Sequence, residues 1–452
     1  MAESDSPSVA PASPARSART VLDMTGYQWA VLAAAWLGWG FDSFDALLFN
    51  WVAPNCVPTL LGLPIGSPEA KAATLQWTGV LTSLLLLGWA AGGILFGKLA
   101  DRIGRTRTLL LTMLLYSLGT GLCALAPNLW VLVVCRAIAS LGIGGEWAAG
   151  AAMVAEVMPE KRRIEAGALL YTAAPLGIFL AGFVNFHIAG VWMKGSPETS
   201  WRYVFLAGTL PAAVAVLVRV FVREPEAWKR VASHAAAPRL RELFGKQYWR
   251  LTRSGLAMAF VALIMWWSCN AFLPVKTAYL AQSAAQAQGL SKEATQALTE
   301  AWKNTATKYF NWGGILGTLL TVPIAKRFGR RAMFALYFTA SGAAILATHG
   351  LALEPQTRLA MEFLIGLSVF GVFGSFTYYL PELFPTRLRG TGAGFCYNAG
   401  RVLAAAGPLA VGAVAARGAV LTALFWVGFL PLLGLLFLPW VVETRGRVLA
   451  DA

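Results

Sequence analysis

Gly38-Trp39-Gly40-Phe41-Asp42-Ser43-Phe44-Asp45 stands inside an apolar run from Tyr27 to about Val57. A run of that length crosses a bilayer, and in lipid it must be helical because its backbone polar groups have no other partners. Three residues apart, Asp42 and Asp45 share one helix face. From Trp29 to Asp42 the helix climbs roughly 20 Å into a hydrocarbon layer roughly 30 Å thick, so the acids lie at depth. An ionised carboxylate there is costly; such a group takes up a proton reversibly, and intramembrane acids commonly carry a function. The alternative is a helix that starts later, with both acids facing water at the outer rim.

The rest of the chain has the same solvent. Of 452 residues 57% are hydrophobic and 13% charged, and the mean hydropathy is +0.59, whereas soluble domains carry about 25% charged residues. The expectation is an all-α integral membrane protein; the short alternating segments of a barrel are missing. The net charge of +15 would suit nucleic acid in a soluble protein, but the excess of cations on the cytoplasmic side explains it here, and no nucleic-acid partner is expected. Residues 1–24, rich in Ser, Pro and Ala, read as a disordered cytoplasmic tail and not as a cleaved signal. Cys56, Cys123, Cys135, Cys269 and Cys396 are scattered and odd in number, so free thiols are expected, with no disulfide frame, metal site or cofactor.

Twelve apolar spans follow, at about 27–57, 76–97, 107–126, 129–154, 164–190, 202–222, 252–281, 305–325, 332–352, 358–380, 391–415 and 418–442. The tail, the even-to-odd loops and the C-terminus hold 26 of the 37 Lys and Arg. Both termini are therefore expected in the cytoplasm, with the chain in the cell inner membrane. The units read as a bundle over 25–222, a basic linker over 223–250 lying as a helix on the anionic inner leaflet, a bundle over 251–445 and a tail over 446–452. Residues Gln282 to Asn304 have helical spacing and polar composition; they read as an outward extension of span seven or eight, a passive cap in the plainer reading.

The halves echo each other at an offset of about 225. Gly97-Lys98-Leu99-Ala100-Asp101-Arg102-Ile103-Gly104-Arg105 answers to Ile324-Ala325-Lys326-Arg327-Phe328-Gly329-Arg330-Arg331. Glu156-Val157-Met158-Pro159-Glu160-Lys161-Arg162-Arg163 answers to Glu382-Leu383-Phe384-Pro385-Thr386-Arg387-Leu388-Arg389. Two pseudo-symmetric six-helix bundles imply a cleft at mid-membrane.

These motifs resemble the major facilitator superfamily over nearly the whole chain after the tail. Its loop pattern Gly-x-Leu-Ala-Asp-Arg-x-Gly-Arg is matched by Gly97 to Arg105, and its span-four pattern by Arg136, Gly142 and Gly144. The endings Arg223-Glu224-Pro225-Glu226 and Val442-Glu443-Thr444-Arg445-Gly446 look like its half-closing acidic motifs. Asp42-x-x-Asp45, Gly144-Gly145-Glu146-Trp147 and Phe395-Cys396-Tyr397-Asn398-Ala399-Gly400-Arg401 are similar to the proton symporters of organic acids: the aromatic acid, sialate and monocarboxylate groups. Two departures stand out. Lys326 replaces the loop acid in the second copy, and Ala174-Pro175-Leu176-Gly177 replaces the drug-antiporter pattern of span five.

The resemblance implies alternating access with a small organic anion and protons as partners, by a monomer. It makes Arg401 a substrate ligand; the same residue could instead be a structural ion pair. Arg grips a carboxylate through two parallel hydrogen bonds and stays charged when buried. Tyr397, Asn398, Asn270 and Lys308 are candidate companions, with Lys308 and Lys276 near the outer mouth either attracting anions or snorkelling. Arg136 could pair with Asp42 or Asp45, in proton coupling or as a strut. Glu146 is either a second proton site or a structural acid. In the superfamily the loop acid meets the N-terminus of span eleven, a gating latch that Asp101, beside Arg102, would form here, while Arg105, Glu156, Arg163 and Glu224, with Arg330, Glu382, Arg389 and Glu443, would form cytoplasmic charge networks that break and reform. Gly88 with Gly92 and Gly313 with Gly317 are expected to let helices pack closely across the halves. A sugar or polyol porter is the alternative, since Glu443-Thr444-Arg445-Gly446 is also sugar-porter-like; a non-transporting sensor would need an added soluble domain. An enzyme is not expected: His187, His234 and His349 lie in different regions, with no nucleophile-base arrangement or nucleotide loop.

Overall fold

A computed structural model describes residues 24–103, 105–158, 162–211, 239–385 and 388–445, with side chains described except at 97, 98, 100–106, 145–153, 155, 156, 163, 164, 389 and 390. The opening span is one helix, α1 (Gly26–Leu61). It starts on a capping box in which Thr25 accepts from the Gln28 amide and Gln28 Oε1 accepts from the Thr25 amide. It stops at Gly62, whose φ of 69° suits a residue without Cβ. The N-terminal half continues with α2 (Pro68–Ile103), α3 (Arg105–Cys123), α4 (Leu129–Val157), α5 (Arg163–Tyr171), α6 (Ala173–Asn185), a π turn (Phe186–Trp192) and α7 (Pro197–Ala207). The C-terminal half comprises α8 (Trp249–Asn270), α9 (Leu273–Ala287), α10 (Lys292–Phe328), α11 (Arg330–Gly350), α12 (Pro355–Leu383), α13 (Arg389–Ala404), α14 (Ala406–Ala415), α15 (Val420–Val427) and α16 (Leu430–Leu436).

Five of the breaks within spans follow one rule. Helices α5, α7, α8, α13 and α15 end at Tyr171, Ala207, Asn270, Ala404 and Val427, and Pro175, Pro211, Pro274, Pro408 and Pro431 stand four residues on. Each proline lacks the N–H that the last carbonyl would have accepted, so each ladder is cut there. Merged across such breaks, eight segments are long and apolar enough to cross a membrane, and 107–123 and 129–144 are shorter apolar helices. Of the twelve expected spans the other two are α10, polar in its first third, and the one opened by α7, which runs into residues outside the described set. The expected outward extension is the start of α10, continuous with its membrane part from Lys292. The expected linker helix falls mostly in 212–238, outside the described residues; what is described of it is a short 3-10 turn, Leu240–Phe244.

The small residues sort differently from expectation. Gly88 and Gly92 receive Ser140 and Leu141 of α4, and Gly313 and Gly317 receive Phe363 and Leu367 of α12. Both pairs therefore pack within a half, at equivalent places in the repeat. The halves meet closely elsewhere: a Cβ on Gly79 of α2 would come within 2.5 Å of the Pro408 carbonyl oxygen of α14, and one on Gly167 of α5 within 2.8 Å of Thr377 Oγ1 of α12. α2 packs on α14 and α13, α6 on α10, and α5 on α10 and α12, so several helices of each half share the seam.

Candidate functional site

Both acids of α1 are interior, at 2% exposure for Asp42 and 0% for Asp45. The shared face left open which of them meets Arg136, and the tertiary structure chooses Asp45. Arg136 Nη1 donates to Asp45 Oδ1 at 3.4 Å and to Thr120 Oγ1 at 3.2 Å, while Thr120 Oγ1 donates to the same carboxylate oxygen. Arg136 Nη2 donates to the carbonyls of Asp45 and Ala46, both at 3.2 Å. The guanidinium thus ties α1, α3 and α4 together. Asp45 Oδ2 is buried without a hydrogen-bond partner among the described residues.

Arg401 of α13 is 2% exposed. Its guanidinium lies 4.1 Å from the ring centre of Trp89 in α2 and 4.7 Å from that of Tyr397. Nη1 donates to Asn398 Oδ1 at 2.9 Å, and Nε is buried without a partner among the described residues. The two rings hold the guanidinium in place, and its unpartnered Nε is available to an acceptor. Asp42 lies within electrostatic reach of Arg401, across the seam. Aromatic rings from both halves continue around this point: Trp39 with Tyr171 at 5.4 Å, Tyr171 with Phe373 at 6.1 Å, Phe376 with Tyr397 at 6.0 Å, and Trp89 with Trp267 at 5.9 Å.

The other candidates separate. Tyr397 and Asn398 stand at Arg401, as expected. Asn270 is buried at the proline-cut end of α8, its Nδ2 without a partner among the described residues. Lys308 is exposed and turned to the far side of α10, which corrects its placement as a substrate ligand; the interior cation of that helix is Lys303. Lys276 neither snorkels nor attracts anions at the mouth: it is buried with Nζ 2.6 Å from Glu362 Oε1 and 2.8 Å from His349 Nε2. Glu382 accepts from Arg330 Nε at 3.1 Å and Nη2 at 2.7 Å, and from Thr444, while Glu443 accepts from the Arg330 and Arg331 amides. The side chains of Glu146, Asp101, Arg102, Arg105, Glu156, Arg163 and Arg389 lie outside the described residues.

Sequence reasoning missed two buried ion pairs. The offset of 226 that aligns Glu156 with Glu382 also carries Arg136 onto Glu362, so Lys276–Glu362 is a charge-inverted echo of Asp45–Arg136 in the second half. The repeat register points to Glu362 alone, since at that offset Lys276 answers to Asn50 and not to Asp45. The second pair, Glu300–Lys303, sits in the segment read as a passive cap. Down the same face of α10, Thr307 Oγ1 and both amide atoms of Asn311 are buried without partners among the described residues. At the other end of α10 Lys326 Nζ meets Glu165 Oε1 of the other half at 2.6 Å.

Two six-helix halves with ionised groups facing each other across a seam define a secondary carrier and not an enzyme. The family model described as Major Facilitator Superfamily matches residues 35–299, and the chain belongs to that superfamily. It is 30% identical to the cis,cis-muconate transport protein of Acinetobacter baylyi over 78% of this chain and 81% of that one. It is 25% identical to the gentisate transporter of Corynebacterium glutamicum, over 87% and 82%. Among solved structures, a D-xylose-proton symporter superposes with a TM-score of 0.69 at 18% identity, covering 94% of this chain and all of that one, which places the fold.

Proposed function

We propose that the protein takes up a small organic anion with protons by alternating access. The observation that carries this reading is Arg401, clamped between Trp89 and Tyr397 with Nε unpartnered among the described residues and Asp42 in reach. A substrate carboxylate docks on the guanidinium edge in competition with Asp42; a proton on Asp42 removes the competitor. Alternatively the proton sits on Asp45 at Oδ2, which loosens its hold on Arg136 as the halves rock. The loaded site is then nearly neutral and crosses at least electrostatic cost. The cargo of the muconate and gentisate relatives supports an anion. The termini lie in the cytoplasm of a cell whose inner membrane holds a monomer, and the Arg330–Glu382–Glu443 contacts, with the loop-motif charges, break and reform at that face.

Uptake in energised vesicles tests the reading. Accumulation rises as the outside pH falls; Asp42→Asn and Asp45→Asn abolish accumulation while exchange survives. Accumulation persisting in both variants removes the coupling role. The polyol reading retains one favourable feature, the unpartnered amides of Asn270 and Asn311. Competition by a carboxylate but not by its amide decides for the anion.

A further inference from the structure

We propose that Glu300 and Lys303 form a charged clasp that holds the two halves shut on the outer side of the substrate site, making them positioning residues of the transport cycle. The proposal takes its sense of outside from the orientation given above.

The pair lies three residues apart on α10, and both side chains are 1% exposed. Lys303 Nζ donates to Glu300 Oε1 at 2.8 Å. An ordinary pair one helical turn apart would stop there and point to solvent. Here each partner also reaches the other half. Lys303 Nζ donates to the Trp51 carbonyl of α1 at 2.9 Å and lies 5.8 Å from the Trp51 ring centre. Glu300 Oε2 accepts from Asn185 Nδ2, at the end of α6, at 2.5 Å, and Gln296 Nε2 donates to Oε1 at 3.2 Å.

The N-terminal half is shaped to receive them. A Cβ on Gly190 would come within 2.7 Å of Glu300 Cβ, and one on Gly182 within 3.0 Å of the Trp51 ring. On α1, Pro54 denies the Asn50 carbonyl its amide, so the ladder is already open beside Trp51. Two further bridges span the halves at this end: Tyr279 Oη donates to the Lys71 carbonyl at 3.3 Å, and Lys292 Nζ pairs with Glu198 at 2.7 Å. The Lys292 pair is exposed and holds weakly; the Glu300–Lys303 group is the dry one.

A dry ion pair also suits a contact that opens once per cycle. Its attraction is largely offset by the cost of removing two charges from water, and both charges are rehydrated when the seam parts. The clasp sits above Thr307 and Asn311 on the same face of α10, between the exterior and those unpartnered polar groups. In the closed form Thr307 is 1% exposed.

The experiment is protection of a thiol placed behind the clasp. Thr307→Cys is labelled by a membrane-impermeant thiol reagent in right-side-out vesicles, with the parent chain as background. Asn185→Ala removes one bridge and buries no new charge; labelling rises roughly tenfold, the factor that losing one charge-assisted hydrogen bond brings to an opening equilibrium. The swap Glu300→Lys with Lys303→Glu keeps the pair within α10, but a carboxylate cannot donate to the Trp51 carbonyl, and a lysine meets Asn185 only if that amide turns its oxygen round. The clasp requires the swap to label as fast as Lys303→Met. Native-like protection in the swap, or unchanged labelling in Asn185→Ala, overturns it. The readout needs neither substrate nor protons, so failure of the anion or coupling reading leaves it standing. Labelling that accelerates in inside-out vesicles instead overturns the outer assignment.

Discussion

Arg401→Lys keeps the charge, and so keeps Asp42 company, but removes the planar fork. The guanidinium is buried against two rings, at 4.1 Å from Trp89 and 4.7 Å from Tyr397. Desolvated stacking of this kind is worth about 1 to 2 kcal/mol, of which an ammonium held less squarely retains part. A carboxylate on the guanidinium edge makes two parallel charge-assisted bonds; an ammonium supplies one good one, a loss of about 2 kcal/mol. The substitution should therefore cost about 3 kcal/mol, or roughly a hundredfold in affinity. Saturation uptake of a carboxylate substrate reads this as a raised KM with a smaller effect on the maximal rate, and the ligand-induced rise in melting temperature reads the binding loss directly. Arg401→Gln should remove carboxylate binding altogether. A KM within about threefold of the parent for Arg401→Lys refutes the fork argument. An equal loss for the carboxylate and its amide would show instead that Arg401 only braces α13 against α2.

Lys276→Met strands Glu362 in the interior and should cost about 3 to 5 kcal/mol in melting experiments, while Lys276→Met with Glu362→Leu should recover most of it; equal damage in both would mean that the echo pair is held by packing. Asn311→Leu should weaken a hydroxylated carboxylate by roughly tenfold and spare its deoxy analogue, because only the former leaves a lost hydrogen bond; equal weakening rules out a hydroxyl contact. Glu443 lies beyond the last span: burial pushes its carboxyl up, but the amides of Arg330, Arg331 and Arg445 and the Arg330 charge hold it below the usual carboxylate range. With the folded value depressed, its stabilisation is complete above the ordinary range and lost as pH falls through the depressed value, so Glu443→Gln should flatten the acid limb of melting temperature against pH; an unchanged limb denies it that role.

Much of this was written along one dimension. Span depth placed Asp42 and Asp45 in the interior because a helix has a fixed rise, and the loop repeats announced two halves. Five spans are cut four residues before a proline, but Pro54, Pro58, Pro323 and Pro381 stand inside unbroken helices, so the prolines alone do not say where a span is cut. Arg401 with Tyr397 and Asn398 was legible because spacings of three and four residues already share a face.

Pairing was not legible, because helices meet over long sequence separations and a face does not name its neighbour. Asp42 and Asp45 look alike in sequence; α3 and α4 bring Thr120 and Arg136 to Asp45, leaving Asp42 on the Arg401 side of α1. Gly88 and Gly313 signalled close approach without saying to which helix, and they serve their own halves. Polarity misled most at 282–304, read as an outward extension or passive cap, where Glu300 and Lys303 are buried. Their interior place depends on Gly190, Trp51 and Asn185, more than a hundred residues away. Local periodicity sets which groups can be buried; only the packed seam decides what a buried charge must answer to.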